Sequence, residues 1–546
     1  MKYFEKKWKL LVIVVFSFLY NLLSVIFAFF LMKITDAIIS GKMNDFIAHT
    51  GYGFVCLILQ ISVYIFQSKY TNDYVAECMI FLKNNLVKGI SKFTFCYYAE
   101  SKVEEYQSFF QNDLKLFEKQ YYRQIIDLLS SISLLIVSIL GIAYIHPVFL
   151  IALLLIVIIA LMLPMVFKNT VLNANVNYTT RLKEYLEALN ELLYGFHTVK
   201  NYNISKQITD RISEKNSQLE QSHAQFDTKI TIINSLMAFV GQILVLISFA
   251  LGGYLSVEGR ITTGSIVALS QLLAYAVEPI SVIASTMTSL NAIQNVKDDC
   301  DHIINYHNSE GQLSLRSIPH SIELKSVSFS YDGDRTILKD ASAVFETPYK
   351  YAVLGKNGTG KSTLLKLIMK MISNYNGTIT VDGVNICSIP ESEYFKYITY
   401  LPQSPFIFNM TFEDNVEMFQ EQIDKSIEEK LVFNLNLEHL KDVVISSNEV
   451  SGGEKSKIAI MRSLLKQSPI ILMDEPTAAM DENSNRIFDD LLREFQDKLF
   501  IVITHRIDDS LTAYDRYVII DEKTIFITEN LNEALTILGK EGVNDD

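Results

Sequence analysis

The sequence predicts two architectures in one chain: a membrane all-α domain of six transmembrane helices, then an α/β domain built on a phosphate-binding loop. Three observations predict it. Long apolar runs, each able to cross roughly 30 Å of hydrocarbon as a helix of about 20 residues, fill the first half of the chain. From about Ser321 the pattern becomes β-branched strands alternating with helices. Residues Gly355 to Ser362 then spell G-x-x-x-x-G-K-S between a strand and a helix.

The candidate spans are Leu10 to Met32, His49 to Gln67, Gln124 to Ile145, Pro147 to Phe167, Ile230 to Leu255, and Ser265 to about Leu290. Backbone polar groups cannot stay unpaired in lipid, so each run is expected to be helical. The first run follows Lys2, Lys6, Lys7 and Lys9 but is too long for a cleavable signal, and no small-x-small site follows it. Spans three and four are separated only by the turn at His146 and Pro147. About 55 residues separate spans two and three and about 60 separate four and five; both stretches carry apolar residues at helical spacing. They are expected to prolong the membrane helices rather than to form loops. Lysine and arginine are dense in these two stretches and sparse in the short connections, which predicts both termini and the long connections in the cytoplasm.

Composition agrees with a chain partly dissolved in lipid. Of 546 residues only 20% are charged and 49% are hydrophobic, and the length exceeds one ordinary domain. The expected boundaries are 1–300 for the membrane domain, 301–320 for a linker and 321–546 for the α/β domain. A net charge of −13 argues against a nucleic-acid partner, which would need a basic surface. The cysteines, Cys56, Cys78, Cys96, Cys300 and Cys387, are odd in number and lack metal or redox spacing, so they are expected to be free thiols. No early cysteine partnered by a histidine suggests a peptidase module.

The chemistry sits in the second half. In the loop Gly355, Lys356, Asn357, Gly358, Thr359, Gly360, Lys361, Ser362, Thr363, successive backbone N–H groups at a helix start are expected to cradle phosphates. Lys361 would reach the β- and γ-phosphates of ATP, and Ser362 would bind Mg²⁺. In "PIILMDEP" a buried strand presents Asp474 for the Mg²⁺ shell and Glu475 as a general base for the attacking water. Ser451, Gly452 and Gly453 open a further helix, a second anion-binding tip. One nucleotide has one γ-phosphate, so this tip is expected to serve ATP held by another subunit.

With these residues in order, the chain resembles the ATP-binding-cassette exporters of half-transporter form, six spans fused to one nucleotide-binding domain. The resemblance covers nearly the whole length. It implies that Tyr331 stacks on adenine and that Gln403 touches Mg²⁺ and water. It further implies that Asp481 lies in a loop crossing a dimer interface and that His505 contacts the γ-phosphate. It implies two cassettes closing over two ATP molecules. Coupling segments are expected near Ser101 to Gln107 and Tyr194 to Tyr202, and the work is alternating access in the cytoplasmic membrane. Two departures stand out. The usual Leu-Ser-Gly-Gly-Gln reads Val450-Ser451-Gly452-Gly453-Glu454, and the segment from Gln403 to Ser451 is short and lacks a Gly-Glu-x-Gly run. Since Glu475, His505 and Ser451 are all present, a homodimer with two competent sites is favoured, with a related half-transporter as the alternative partner. Exporters of this form carry peptides, lipids or amphipathic drugs. A peptide of bacteriocin or signalling type is favoured, its leader removed elsewhere, and a gated channel on the same scaffold is the rival. Asp127 and Glu278 are candidate cargo contacts, and Asn21, Gln60, Ser131, Gln242 and Gln271 are candidate cavity-lining residues.

Overall fold

The computed structural model describes residues 3–99, 103–306, 311, 313–315, 317–331 and 336–539. It resolves into two compact units: residues 1–91 with 104–305, and 92–103 with 306–546.

Six long helices form the first unit: Lys7–Ile39, Met43–Ile90, Gln124–Ile145, Val148–Tyr194, Ser205–Val257 and Thr263–Ala292. Five of the predicted spans lie within one of them, the third matching its predicted bounds, and the fourth begins one residue early, at Pro147, which caps its helix. Helices two, four and five run far past the hydrocarbon length, as the periodicity of the long connections predicts. Among the described residues, four segments are long and apolar enough to cross a membrane: Lys7–Ile39, Met43–Ile90, Glu105–Ile145 and Ser205–Val257. Leading into the third span, the helix widens to π geometry at Phe109–Asp113 and Glu118–Arg123, which nothing in the periodicity signals.

The first span carries a buried polar stripe, Ser17, Asn21 and Ser24, at helical spacing. Gln67 donates to Ser17 Oγ at 2.7 Å and Gln60 to Ser24 Oγ at 2.8 Å, while Asn21 donates to the Ser130 carbonyl at 2.9 Å. Asn21 and Gln60, expected as cavity-lining candidates, therefore join spans one, two and three by interhelical hydrogen bonds. Ser131 and Gln271 are half-buried, and Asp127 and Gln242 are exposed on the single chain. The Glu278 side chain lies outside the described residues.

Among the described residues the second unit holds three sheets, the smallest a two-stranded antiparallel pairing of Met410–Thr411 with Val444–Ile445. The largest has strand order Thr524–Thr528, Arg516–Asp521, Lys350–Leu354, Leu499–Ile503, Ile470–Asp474, Ile398–Leu401, parallel except for its first pair. Its three central strands are buried along their whole length, which is why they read as continuous apolar runs. A second, antiparallel sheet pairs Ser321–Ser330 with Thr336–Glu346 and with Asn376–Val381. The sequence reading of a parallel sheet missed it, although "SYDGDR" between alternating strands is a hairpin signal.

Residues 92–103 belong to this unit and not to the membrane helices that flank them. A short helix, Phe95–Ala99, places Phe95 against Phe395 with ring centroids 4.9 Å apart. The Phe95 N–H donates to the Glu391 carboxylate at 3.1 Å. This helix precedes the expected coupling segment near Ser101 to Gln107, of which Ser101 and Lys102 lie outside the described residues. Around the second expected coupling segment, a separate helix spans Phe196–Asn201. None of the five cysteines is joined in a disulfide.

Candidate nucleotide site

The site lies where the parallel strands end. The strand Lys350–Leu354 runs into the loop and then into the helix Lys361–Ile368. Gly358 and Gly360 take left-handed φ of +80° and +107°, and a Cβ on Gly360 would come within 2.7 Å of Ile337 Cγ2. Only glycine reconciles that φ with that neighbour. The loop closes around its own lysine: Lys361 Nζ donates to the carbonyls of Gly355 at 2.8 Å and Lys356 at 3.0 Å. Burial pushes the Lys361 ammonium below the ordinary lysine value, and the carboxylates of Glu475 and Asp474 oppose that shift.

Asp474 ends the central strand, paired with Ile503 of its neighbour. It is buried, and its Oδ1 has no hydrogen-bond partner. Burial raises its carboxyl above the usual aspartate value, with the Ser362 hydroxyl pulling the other way. Glu475 follows with a left-handed φ of +51°, held by its N–H donating to the Ile503 carbonyl at 3.1 Å. A strained non-glycine backbone of this kind re-aims a side chain, here out of the sheet and into the cleft. Its carboxylate accepts from Gln403 Nε2 at 2.9 Å through one oxygen and meets His505 Nε2 at 2.8 Å through the other. Gln403 follows the strand Ile398–Leu401 and His505 follows Leu499–Ile503, so three adjacent strand ends converge on one carboxylate.

These side chains line one cavity of about 780 Å³. Around it stand Tyr331, Asn357, Gly358, Gly360, Lys361, Ser362, Thr363, Gln403, Glu475 and His505, all expected from the sequence, together with Ile337. Tyr331 is more than half exposed at the mouth, its hydroxyl 3.4 Å from Thr363 Oγ1. Ile337 was missed because an apolar residue at a strand start reads as core. Gly355, Lys356 and Thr359 shape the loop from behind, and the Thr359 hydroxyl donates to the Lys356 carbonyl at 2.9 Å.

Four expected residues lie elsewhere. Ser451 caps the helix Gly452–Leu465 and Asp481 caps Glu482–Glu494, accepting from the Ser484 N–H at 2.8 Å. Neither Ser451, Gly452, Gly453 nor Asp481 lines the cavity around Lys361. They form a surface of their own: a Cβ on Gly452 would lie 3.4 Å from Ala479 Cβ, and one on Gly453 would lie 3.1 Å from the Ala479 carbonyl. Among the described residues, no three acidic, histidine or cysteine side chains cluster as a ready metal site.

Two family models match the chain. Residues 10–280 match the ABC transporter transmembrane region and residues 338–478 match the ABC transporter family. The chain belongs to the ABC transporters. Among curated relatives, the lactococcin-G-processing and transport ATP-binding protein LagD of Lactococcus lactis is 28% identical, over 69% of this chain and 55% of its own. The mitochondrial iron-sulfur clusters transporter ATM1 of Saccharomyces cerevisiae is 27% identical, over 60% and 50% respectively. A probable ABC transporter ATP-binding/permease protein of Haemophilus influenzae is 23% identical, over 80% and 82%. The chain thus spans about half the length of the first two. The structure of a bacterial Atm1-family ABC exporter with ATP bound superposes with TM-score 0.81 at 17% identity, covering 98% of this chain and 97% of that one. The ABC transporter fold described here is therefore of exporter type.

Proposed function

We propose that the chain is one half of an ATP-driven exporter. Two copies bind two ATP molecules between them, and hydrolysis resets a membrane cavity that alternates between the two sides. One observation carries the reading. The Glu475 carboxylate is held by His505 and Gln403 at the mouth of the cavity that Lys361 and Ser362 line. A carboxylate so held can take a proton from water attacking the γ-phosphate, and its neighbours fix its direction.

The donor set fits a Mg²⁺ ion: Asp474 Oδ1 is a buried oxygen without a partner, and the Ser362 and Gln403 side chains border the same cavity. Mg²⁺ usually takes one or two protein oxygens with phosphate and water, so the absence of a larger acidic cluster among the described residues is no obstacle. When bound it would neutralise developing charge on the phosphates. Lys361, released from the loop carbonyls, would hold the β- and γ-phosphate oxygens, and Tyr331 would stack on the base.

Ser451, Gly452, Gly453 and Asp481 lie off this cavity, which supports their working on the nucleotide of a partner. An identical partner is favoured because no catalytic side chain is missing from the chain. The membrane would be the cytoplasmic membrane, with both termini and the cassettes inside, supported by the lysine and arginine bias of the long connections. For cargo a peptide is favoured, in line with the resemblance to LagD, a lactococcin-G-processing and transport protein. Iron-sulfur cargo, named for ATM1, finds little support in five cysteines of which three are buried. ATPase activity in nanodiscs, measured against peptides, lipids and dyes, tests the reading: stimulation by a peptide class supports it, and conductance that outlasts ATP closure would replace it with a channel.

A further inference from the structure

The helix tip at Ser451 carries a residue the nucleotide chemistry does not use. Glu454 Oε2 accepts both the Ser451 N–H and the Ser451 hydroxyl, each at 2.7 Å, and the Glu454 N–H donates back to Ser451 Oγ at 3.3 Å. This is a capping box, and it stabilises the helix. It also commits the serine proton to a carboxylate at the spot where a phosphate would bind. An anion brought to this tip meets a fixed negative charge already seated there.

The other carboxylate oxygen is not left free. His439 Nε2 lies 2.9 Å from Glu454 Oε1, and a carboxylate can only accept, so Nε2 carries the hydrogen. His439 stands on a single helical turn, Glu438–Leu440, pinned by the buried Leu437 and Leu440. The ring is over half exposed, and Glu454 is less so. The Glu454 carboxyl is held down to about 2, by the Ser451 hydroxyl and N–H first and by His439 after them. It therefore stays anionic wherever the protein works.

We propose that His439 is a positioning residue for the cross-subunit phosphate site: its N–H on Oε1 takes up part of the Glu454 charge, which weakens the hold of Oε2 on the Ser451 hydroxyl and so lets that hydroxyl turn to the γ-phosphate of the partner's ATP. This rests on the proposed sandwich of ATP between two cassettes. A neutral amide at position 454 would remove both the competing charge and the need for the histidine.

The test is ATPase activity of the full-length protein in nanodiscs, titrated with ATP. His439→Ala should raise KM for ATP about three- to tenfold, the weight of one half-exposed charge-assisted hydrogen bond, while kcat at saturation changes little. His439→Gln, which keeps an N–H donor, should retain most of the wild-type KM. Glu454→Gln should match or improve on wild type, and His439→Ala in the Glu454→Gln background should have no further effect. A merely structural histidine would not be rescued by neutralising its neighbour. An unchanged KM in His439→Ala, or a defect that persists in the double variant, overturns the inference. Ser451→Arg serves as the control: if it leaves ATPase intact, the sandwich itself fails, whatever His439 does.

Discussion

Glu475→Gln isolates the proposed base with little change of shape. The glutamine carbonyl can accept from His505 Nε2, where the carboxylate sits at 2.8 Å, and the Gln403 amide at 2.9 Å can turn over to match the new amide. The backbone strain at φ +51° is common to both residues, so the side chain keeps its direction. What disappears is the basic oxygen. General-base catalysis contributes about 10²–10⁴-fold, so kcat should fall by that factor, equivalent to about 3–5 kcal/mol on the barrier. ATP binding should survive and tighten, because an anion beside the γ-phosphate has gone while Lys361 and the loop remain. The assay is phosphate release from purified protein, paired with equilibrium binding of a labelled ATP. Turnover within about threefold of wild type, a loss of under 1 kcal/mol, would show that another group activates the water and would refute the role assigned to Glu475.

Ser451→Arg places a bulky cation on the exposed helix tip; ATP should still bind the Lys361 loop, but ATP-dependent association of cassettes should be lost, as read by cross-linking or light scattering. Gly360→Ala forces a side chain into a φ of +107° and onto Ile337; a cost of about 1–3 kcal/mol should weaken nucleotide binding about 5- to 150-fold in calorimetry. Chelation of divalent ions should stop hydrolysis, and Asp474→Asn should require higher Mg²⁺ for half-maximal rate, which a Mg²⁺ titration reads. The Glu454 carboxyl is depressed to about 2 from an ordinary 4.5, so its capping contribution is full above pH 4.5 and is lost as pH falls through about 2. The melting-temperature gap between wild type and Glu454→Ala should therefore hold constant from pH 8 to pH 5 and close only in stronger acid.

Much of this molecule was legible because its parts obey local rules. Hydrocarbon thickness sets the six spans, and the loop from Gly355 to Ser362 needs its glycines for reasons visible in the spelling. The helical character of the long connections followed from spacing alone. What stayed hidden depends on contacts distant in sequence. Asn21 and Gln60 read as candidate cavity lining rather than as interhelical bonds, because a single helix does not reveal its neighbours. The pairing of His439 with Glu454 joins residues on separate elements, and a lone histidine gives no signal. The packing of Phe95–Ala99 gave no sequence signal because it depends on Phe395 and Glu391, far along the sequence. The antiparallel sheet was overlooked because the phosphate loop drew the reading toward parallel strands.

A side chain on Gly452 or Gly453 would meet Ala479, four residues beyond Glu475, at 3.4 Å or 3.1 Å. Glycine at both places keeps that space open, so the helix tip and the turn that follows Glu475 are separated by about the width of one methyl group. A bulkier residue at either position would fill the gap and press the tip against that turn.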